Sequence, residues 1–381
     1  MKNKWLVLFG ILSIVMALVS STVPVYGDVE LAAPSVVLME ANSGRILYEK
    51  NADEVRHPAS VTKVMTLLLV FEAIDSGKIS LKDSVTVSER AAEMGGSQVY
   101  LEVGEVITVE DLIKSVVIAS ANDAAVALAE FCEGSEAAFV GKMNAKALEL
   151  GMKNTHFDNT NGLDDTTETH LTSAKDIALM SRELIANHPS ILNYTTIWQD
   201  TIRNGEFTLT NTNKLVRFYH GANGLKTGYT SKSGYCISAT AKRDGLQLIA
   251  VVMGAATSDQ RNVTAKRLFD YGFANYCYVE PEISDDLRFS VVGGISGASF
   301  GKVTDFTAVV EKGLKEKITY QCVMNEKMTA PIKEGDKVGK IVYYAGETEI
   351  GEADITAAED VEKASVIYLV KKALMDYFML A

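Results

Sequence analysis

The stretch "RHPASVTKVMTLLLVFEAIDSGK" (residues 56–78) decides how this chain is read. From Ser60 to Phe71 the pattern is that of a helix apolar on nearly every face, so the segment predicts a helix buried on almost all sides. It stops at Gly77, a residue suited to the left-handed cap. Lys63 falls inside the first turn, where a buried, unpaired ammonium is costly. Either this lysine escapes to solvent or it is there to work. Ser60 lies three residues earlier, which puts both side chains on one helix face about a turn apart. A serine hydroxyl becomes a nucleophile when a base takes its proton, and a lysine can be that base only if largely neutral. Desolvation lowers a lysine pKa, and a second nearby cation lowers it further. The helix N-terminus also points N–H groups at any oxyanion formed there. The same S-x-x-K spacing fits an N-capping serine followed by a snorkelling lysine, and the spacing alone does not choose.

Upstream, "SVVLMEANSGRILYEKN" (residues 35–51) alternates apolar and polar residues around Asn42-Ser43-Gly44, a hairpin signature. Downstream, "TVEDLIKSVVIASANDAAVALAEFC" (108–132) carries two helical patterns interrupted at Ser120-Ala121-Asn122-Asp123. A break there would hold short polar side chains between packed helices. Helical patterns recur at residues 135–150 and 173–185, separated by the turn-rich "NTHFDNTNGLDDTTETH". "GLKTGYTSKSGYCISATAKRDGLQLIAVVMGA" (224–255) predicts two or three strands with a turn at Arg243-Asp244-Gly245, and the amphipathic "SDQRNVTAKRLFDYGFANY" follows. Strands, helices, antiparallel strands and a closing helix make an α+β order, with the first hairpin free to join the later strands in one sheet. From Tyr278 short runs such as "RFSVV", "FTAVV", "ITYQCVM" and "GKIVYYAGE" predict a separate all-β domain. The end, "VEKASVIYLVKKALMDYFMLA" (361–381), is helical by pattern, but Lys371, Lys372 and Asp376 sit too centrally for a comfortable span. It reads as an interfacial membrane helix or as a helix packed on the β domain.

The N-terminus, "MKNKWLVLFGILSIVMALVSSTVPVYG", places Lys2 and Lys4 before an apolar run and ends in small and turn-forming residues. That is the pattern of a cleaved secretory signal, with an uncleaved anchor as the alternative. A net charge of −12 argues against nucleic acid as a partner. Cys132, Cys236, Cys277 and Cys322 show no C-x-x-C spacing, so they read as buried thiols rather than a zinc site or a disulfide framework. No H-x-x-x-H pair is present, no metal or other cofactor is expected, and His57 and His170 read as structural.

Ser60-x-x-Lys63, Ser120-Ala121-Asn122 and Lys226-Thr227-Gly228 follow one another in the order of the S-x-x-K, S-D-N and K-T-G set. Together with "HPASVTKVMT", "GSQVYLEVGEVITVEDLIKSVVIASANDAAVALAE", "NTNGLDDTTETHLTSAKDIALMSR" and "GLKTGYTSKSGYC", they make the region from Leu31 to Tyr276 resemble a known family. It is that of the serine-type D-Ala-D-Ala carboxypeptidases, the low-molecular-mass penicillin-binding proteins of the peptidase S11 type. The resemblance implies a signal peptide at 1–27 and a β-lactamase/transpeptidase-like α+β domain at 28–277. That domain would have an antiparallel sheet with helices on both faces plus a helical subdomain. A small all-β domain at 278–360 and an amphipathic helix at 361–381 would follow.

The resemblance also implies roles. Ser60 would be acylated, Lys63 would be its base, and Ser120 would relay protons to the leaving amine. Asn122 would hydrogen-bond the substrate's peptide, and Lys226 would supply the charge that keeps Lys63 neutral. Thr227 would help hold the terminal carboxylate, with Arg261 beside it. Gly228 would admit the substrate's backbone. The backbone N–H groups of Ser60 and Tyr229 would form the oxyanion hole. A second K-[ST]-G, Lys232-Ser233-Gly234, lacks the matching flanks and reads as a turn.

The implied reaction removes the terminal D-Ala of peptidoglycan stem peptides at the outer face of the cytoplasmic membrane or in the wall. β-Lactam antibiotics would acylate the same serine. A β-lactamase of this motif set needs a glutamate-bound water, yet the nearest sequence, "HPSILN", has Pro189 where the glutamate should be. A transpeptidase would use an amine in place of water. A non-catalytic wall scaffold would be expected to have lost at least one of Ser60, Lys63, Ser120, Asn122 and Lys226, all of which are intact.

Overall fold

A computed structural model describes residues 31–377 apart from 166, 284–286 and 326, so the predicted signal segment lies outside the described residues. The hairpin strands β1 (Ser35–Glu40) and β2 (Ile46–Lys50) combine with β3 (Ala222–Thr230), β4 (Gly234–Arg243) and β5 (Leu246–Ala255). They form one antiparallel sheet in the order β2-β1-β5-β4-β3. The hairpin does join the later strands, with Val36 opposite Val252. β5 is central and covered on both faces, which is why its sequence is unbroken in apolar residues from Leu248 to Met253.

The longer helices of this part are α1 (Lys63–Asp75), α2 (Val109–Ile118), α3 (Asn122–Glu133), α4 (Glu136–Glu149), α5 (Ala174–Asn187) and α6 (Ser258–Asn275). Strand alternation sends neighbouring residues to opposite faces. Ile249, Val251 and Met253 of β5, with Val37 and Met39 of β1, join the core made by α1 to α5. Leu248 and Leu38 face α6 instead, so closely that a Cβ on Gly272 would lie 2.5 Å from Leu248 and 3.0 Å from Leu38. On the other face the Ser181 hydroxyl of α5 meets that of Ser238 on β4 at 2.7 Å.

The apolar helix of the opening stretch starts differently from its pattern. Residues Ala59–Thr62 form a 3-10 turn, and regular α1 begins only at Lys63. The end is as predicted: Gly77 adopts φ +73, and the Lys78 N–H reaches back to the Ala73 carbonyl. Two small ribbons had no periodic signal because their strands are so short: Ser84–Thr86 with Val106–Thr108, and Gln199–Ile202 with Phe207–Thr210.

The change of composition at Tyr278 falls inside a strand, β6 (Tyr276–Val279), which pairs with β9 (Ala308–Glu311). A six-stranded sheet follows, built from β7 (Arg288–Val292), β8 (Ala298–Val303), β10 (Ile318–Met324), β11 (Met328–Thr329), β12 (Lys337–Ala345) and β13 (Thr348–Ala357). Its order is β10-β12-β13-β8-β7-β11, around Phe289, Ile341, Tyr343 and Ile355. The first hairpin touches this part: Arg45 donates to the Val309 carbonyl at 3.0 Å and lies over the Tyr276 ring, and Tyr278 donates its hydroxyl hydrogen to Glu40.

The last helix, α7 (Val366–Tyr377), begins five residues after the start of its pattern. Val361 and Ala364 are buried with the β sheet, and Val361 bridges to Ile332. Side chains from Val366 to Met375 are exposed, and the Tyr368 hydroxyl donates to the Ile295 carbonyl of the β part at 3.1 Å. Cys132 and Cys236 are buried as expected, whereas Cys277, on a two-stranded ribbon, and Cys322, on an edge strand of the six-stranded sheet, are only half-buried.

Candidate active site

Ser60 stands on a turn whose preceding residue is under strain. Ala59 has φ +48, a left-handed conformation uncommon for a residue with a Cβ. Several neighbours hold it there. Thr62 Oγ1 donates to the Ala59 carbonyl at 2.8 Å, and His170 Nε2 lies 2.7 Å from the same hydroxyl. His170 Nδ1 accepts the Asp158 N–H at 3.0 Å, so its hydrogen sits on Nε2 and is given to Thr62. Burial lowers the His170 pKa to about 4 and keeps the ring neutral. Gly162 closes the back of the turn, where a Cβ would come within 1.8 Å of the Ala59 oxygen. His170 thus supports the nucleophile's turn and makes no bond to Ser60; His57 makes none either.

Lys63 is wholly buried at the start of α1. Its Nζ lies 2.9 Å from Ser60 Oγ, 2.6 Å from Asn122 Oδ1 and 2.8 Å from the Asn161 carbonyl oxygen. Burial drives its pKa well below the usual lysine range, and the Lys226 charge lowers it further against an opposing pull from Asp123. Asn122 is aimed by the break between α2 and α3. Ser120 there has φ +64, and Asn122 donates Nδ2 to the Gly95 carbonyl at 2.7 Å. Ser120 is buried on the same break, but among the described residues its hydroxyl forms no hydrogen bond to Lys63 or Lys226.

The third wall is β3, the edge strand of the sheet. A Cβ on Gly228 would meet the Pro58 oxygen at 2.9 Å and the Ser60 and Val61 nitrogens at 3.0 Å. The close approach that requires glycine here is to the chain's own nucleophile turn. Lys226 is buried, donates to the Thr227 carbonyl at 2.8 Å, and has its pKa lowered to about 7 by burial and then by Arg261. Thr227 Oγ1 donates to Thr212 Oγ1 at 2.7 Å.

Arg261 is only 5% exposed, which rules out a solvated helix charge. Its guanidinium lies 6.0 Å from the Tyr235 ring centre and bonds Ser258 and Asn262. Tyr229 stacks its exposed ring on Tyr235 at 4.3 Å. As β3 is an edge, every second N–H along it faces away from β4. Lys232 stands apart from this cluster, bound to Glu168 at 2.7 Å and to the Asp164 carbonyl at 3.0 Å. Asn161 and Thr212 were not singled out from the sequence. Asn161 sits within the "NTNGLDD" wording but acts on Lys63 through a backbone carbonyl, which no side-chain motif reveals.

Solved structures share this fold. Penicillin-binding protein 5 from Haemophilus influenzae matches with TM-score 0.76 at 32% identity, covering 88% of this chain and 98% of that one. Penicillin-binding protein D2 from Listeria monocytogenes, in an ampicillin-bound form, matches with TM-score 0.60 at 34% identity over 65% of this chain and 100% of that one. The class is that of the low-molecular-mass penicillin-binding proteins, serine hydrolases with a transpeptidase-like fold. The D-alanyl-D-alanine carboxypeptidase family model, Peptidase S11, matches residues 20–257, and the penicillin-binding protein 5 C-terminal domain matches 293–363. D-alanyl-D-alanine carboxypeptidase DacF of Bacillus subtilis is 41% identical over 353 residues, 91% of this chain and 90% of its own length. The chain belongs to the Peptidase S11 family and is a serine-type D-alanyl-D-alanine carboxypeptidase.

Proposed function

We propose that Ser60 is the acylated residue and Lys63 its base. The observation that carries this is the 2.9 Å contact between Ser60 Oγ and the Nζ of a wholly buried lysine held below its usual pKa. Ser60 attacks the carbonyl carbon of the penultimate D-Ala of a peptidoglycan stem peptide, and its proton passes to Lys63. The oxyanion takes hydrogen bonds from the Ser60 and Tyr229 N–H groups. The C–N bond then breaks, and a proton returns from Lys63 through Ser120 to the departing D-Ala amine. Thr227 and Arg261 hold the terminal carboxylate, and Lys226 keeps Lys63 neutral through its charge. Asn122 exchanges its Gly95 carbonyl for a substrate carbonyl. Water hydrolyses the ester and frees Ser60. β-Lactams, bound in the Listeria relative, acylate the same serine through their strained amide. Mass spectrometry after incubation with penicillin should show a penicilloyl adduct on Ser60, and diacetyl-Lys-D-Ala-D-Ala should release D-Ala. Release that persists in Ser60→Ala would refute this assignment.

We also infer that the protein works at the outer face of the cytoplasmic membrane, with residues 1–27 as its secretory signal. It would divide into a catalytic domain at 28–277, a β domain from 278, and a tail. Among the described residues no helix is long and apolar enough to cross a membrane. α7 nonetheless exposes Val366, Ile367, Leu369, Val370 and Leu374 alongside Lys371 and Lys372. Apolar groups and lysines on one exposed helix suit the interface of an anionic bilayer.

A further inference from the structure

Two loops bring hydrogen-bond acceptors to Lys63, and a single carboxylate holds both loops. The Asn161 carbonyl belongs to the loop between α4 and α5. The Gly95 carbonyl, which fixes Asn122, follows the short helix Glu89–Ala92. Glu136, the first residue of α4, stands between the two. Its Oε1 accepts the Thr160 hydroxyl at 3.0 Å and the Thr160 N–H at 3.3 Å. Its Oε2 accepts Arg90 Nη2 at 2.9 Å and Nε at 3.1 Å. Each carboxylate oxygen therefore serves a different loop.

An isolated, partly exposed ion pair contributes little. This one differs in where its two ends lead. Thr160 is wholly buried, and its carbonyl accepts Thr66 Oγ1 of α1 at 2.6 Å, one turn beyond Lys63. The next peptide, Asn161–Gly162, gives its carbonyl to Lys63 at 2.8 Å, while its N–H is taken by Asn159 Oδ1 at 2.7 Å. With that peptide and its neighbour both pinned, the position of the carbonyl follows the Glu136 carboxylate. At the other end Arg90 anchors the segment whose Gly95 carbonyl takes Nδ2 of Asn122, and Asn122 Oδ1 makes the second contact to Lys63 at 2.6 Å. Glu136 itself is largely buried, and among the described residues its carboxylate bonds only Thr160 and Arg90.

We propose that Arg90 and Glu136 form a strap that positions the base: by tying the two loops together it keeps Asn122 and the Asn161 carbonyl at hydrogen-bond distance from Lys63, and so keeps the amine against Ser60. Both are positioning residues that act through Lys63. The inference rests on the reading of Lys63 as the base. Without the strap the loops separate and the amine gains room to swing away from Ser60 Oγ. Proton transfer slows, while the Thr227 and Arg261 end of the cleft stays as it was.

The test follows acylation by a fluorescent penicillin in stopped flow across pH, separating the binding constant from the limiting rate, in Arg90→Met, Arg90→Lys, Glu136→Ala and the Arg90→Met/Glu136→Ala double variant. The limiting rate should fall roughly tenfold in Glu136→Ala and about threefold in Arg90→Met, as expected when a catalytic group is misplaced by part of an ångström, with binding unchanged. The double variant should be no slower than Glu136→Ala, because the two residues act as one chain. Arg90→Lys, which keeps a cation beside Glu136, should recover most of the rate. Lys226 and Asp123 are the charges that act on Lys63, so the plateau of the pH profile should drop while its acid limb stays in place. Arg90 is more than half exposed, so its variants should melt like the wild type and bind one penicilloyl group per chain even if Glu136→Ala folds poorly. Losses that multiply in the double variant, a change confined to the binding constant, or a shifted acid limb with a full plateau would overturn the strap. Acylation of Lys63→Met at the wild-type rate would instead overturn Lys63 as the base.

Discussion

Replacing Gly228 with alanine inserts a methyl group between β3 and the turn that carries Ser60. The added Cβ would sit 2.9 Å from the Pro58 oxygen and 3.0 Å from the Ser60 and Val61 nitrogens, where ordinary contact begins at 3.4 Å. All three neighbours are backbone, so relief requires strand and turn to part by about half an ångström. Gly228 does not adopt a positive φ, so alanine meets no backbone penalty of its own. Overpacking of this kind costs about 1–3 kcal/mol, which a protein with a large core should survive. Catalysis is less tolerant, because a displaced turn spoils the 2.9 Å approach of Ser60 to Lys63. A loss of roughly tenfold to a hundredfold in the acylation rate is expected. Stopped-flow measurement with a fluorescent penicillin, run beside thermal melts, separates the two effects. Acylation at the wild-type rate with an unchanged melt would show that the turn yields freely and that glycine is not needed there. Gly162→Ala is the severe comparison: with φ +89 and a contact of 1.8 Å to the Ala59 oxygen, it should compromise the fold itself.

Penicillin acylation should fall as the pH drops, because Lys63 then takes up a proton. In Lys226→Met the neighbouring charge that depresses the Lys63 pKa is gone, so the acid limb of the rate profile should move to higher pH. For His170, the folded pKa of about 4 lies below the ordinary histidine value of 6.5, so the unfolded chain binds the proton first as pH falls. About 3 kcal/mol of stability, present above pH 6.5, should therefore disappear as pH falls through 4, and denaturant melts of His170→Gln should show a flatter slope. Truncation after Ser365 should release the protein from membranes without changing its melt, whereas truncation before Val361 should also destabilise the β domain. Continued membrane attachment after the shorter cut would refute a role for α7.

Much of the site was legible because its side chains lie in short, local motifs. Ser60 and Lys63 are three residues apart, Ser120 and Asn122 flank one helix break, and Lys226 to Gly228 run along one strand. The sheet was legible because β1, β2 and β5 carry strong alternation or an unbroken apolar run. Other features depend on contacts distant in sequence. The 3-10 start before Lys63 follows from Ala59 being held by Thr62, His170 and Gly162, residues up to about a hundred positions away. The late start of α7 follows from the bridge between Val361 and Ile332, which a helical pattern cannot register. Thr212 was invisible for the same reason, since only the fold brings it to Thr227.

The three oxygens around Lys63 have a consequence in valence. A neutral amine has two hydrogens and one lone pair, whereas an ammonium has three hydrogens and none. The Asn161 carbonyl and Asn122 Oδ1 can only accept, so in the neutral state they use both hydrogens. The lone pair is left for the third direction, which holds Ser60 Oγ. The hydroxyl must then donate to the amine, the polarity that a proton abstraction needs. Once the proton has crossed, the ammonium faces three acceptors and all three of its hydrogens are placed. The amine can change its charge without changing its neighbours, and one of the two groups that enforce this is a peptide carbonyl that no side-chain substitution can remove.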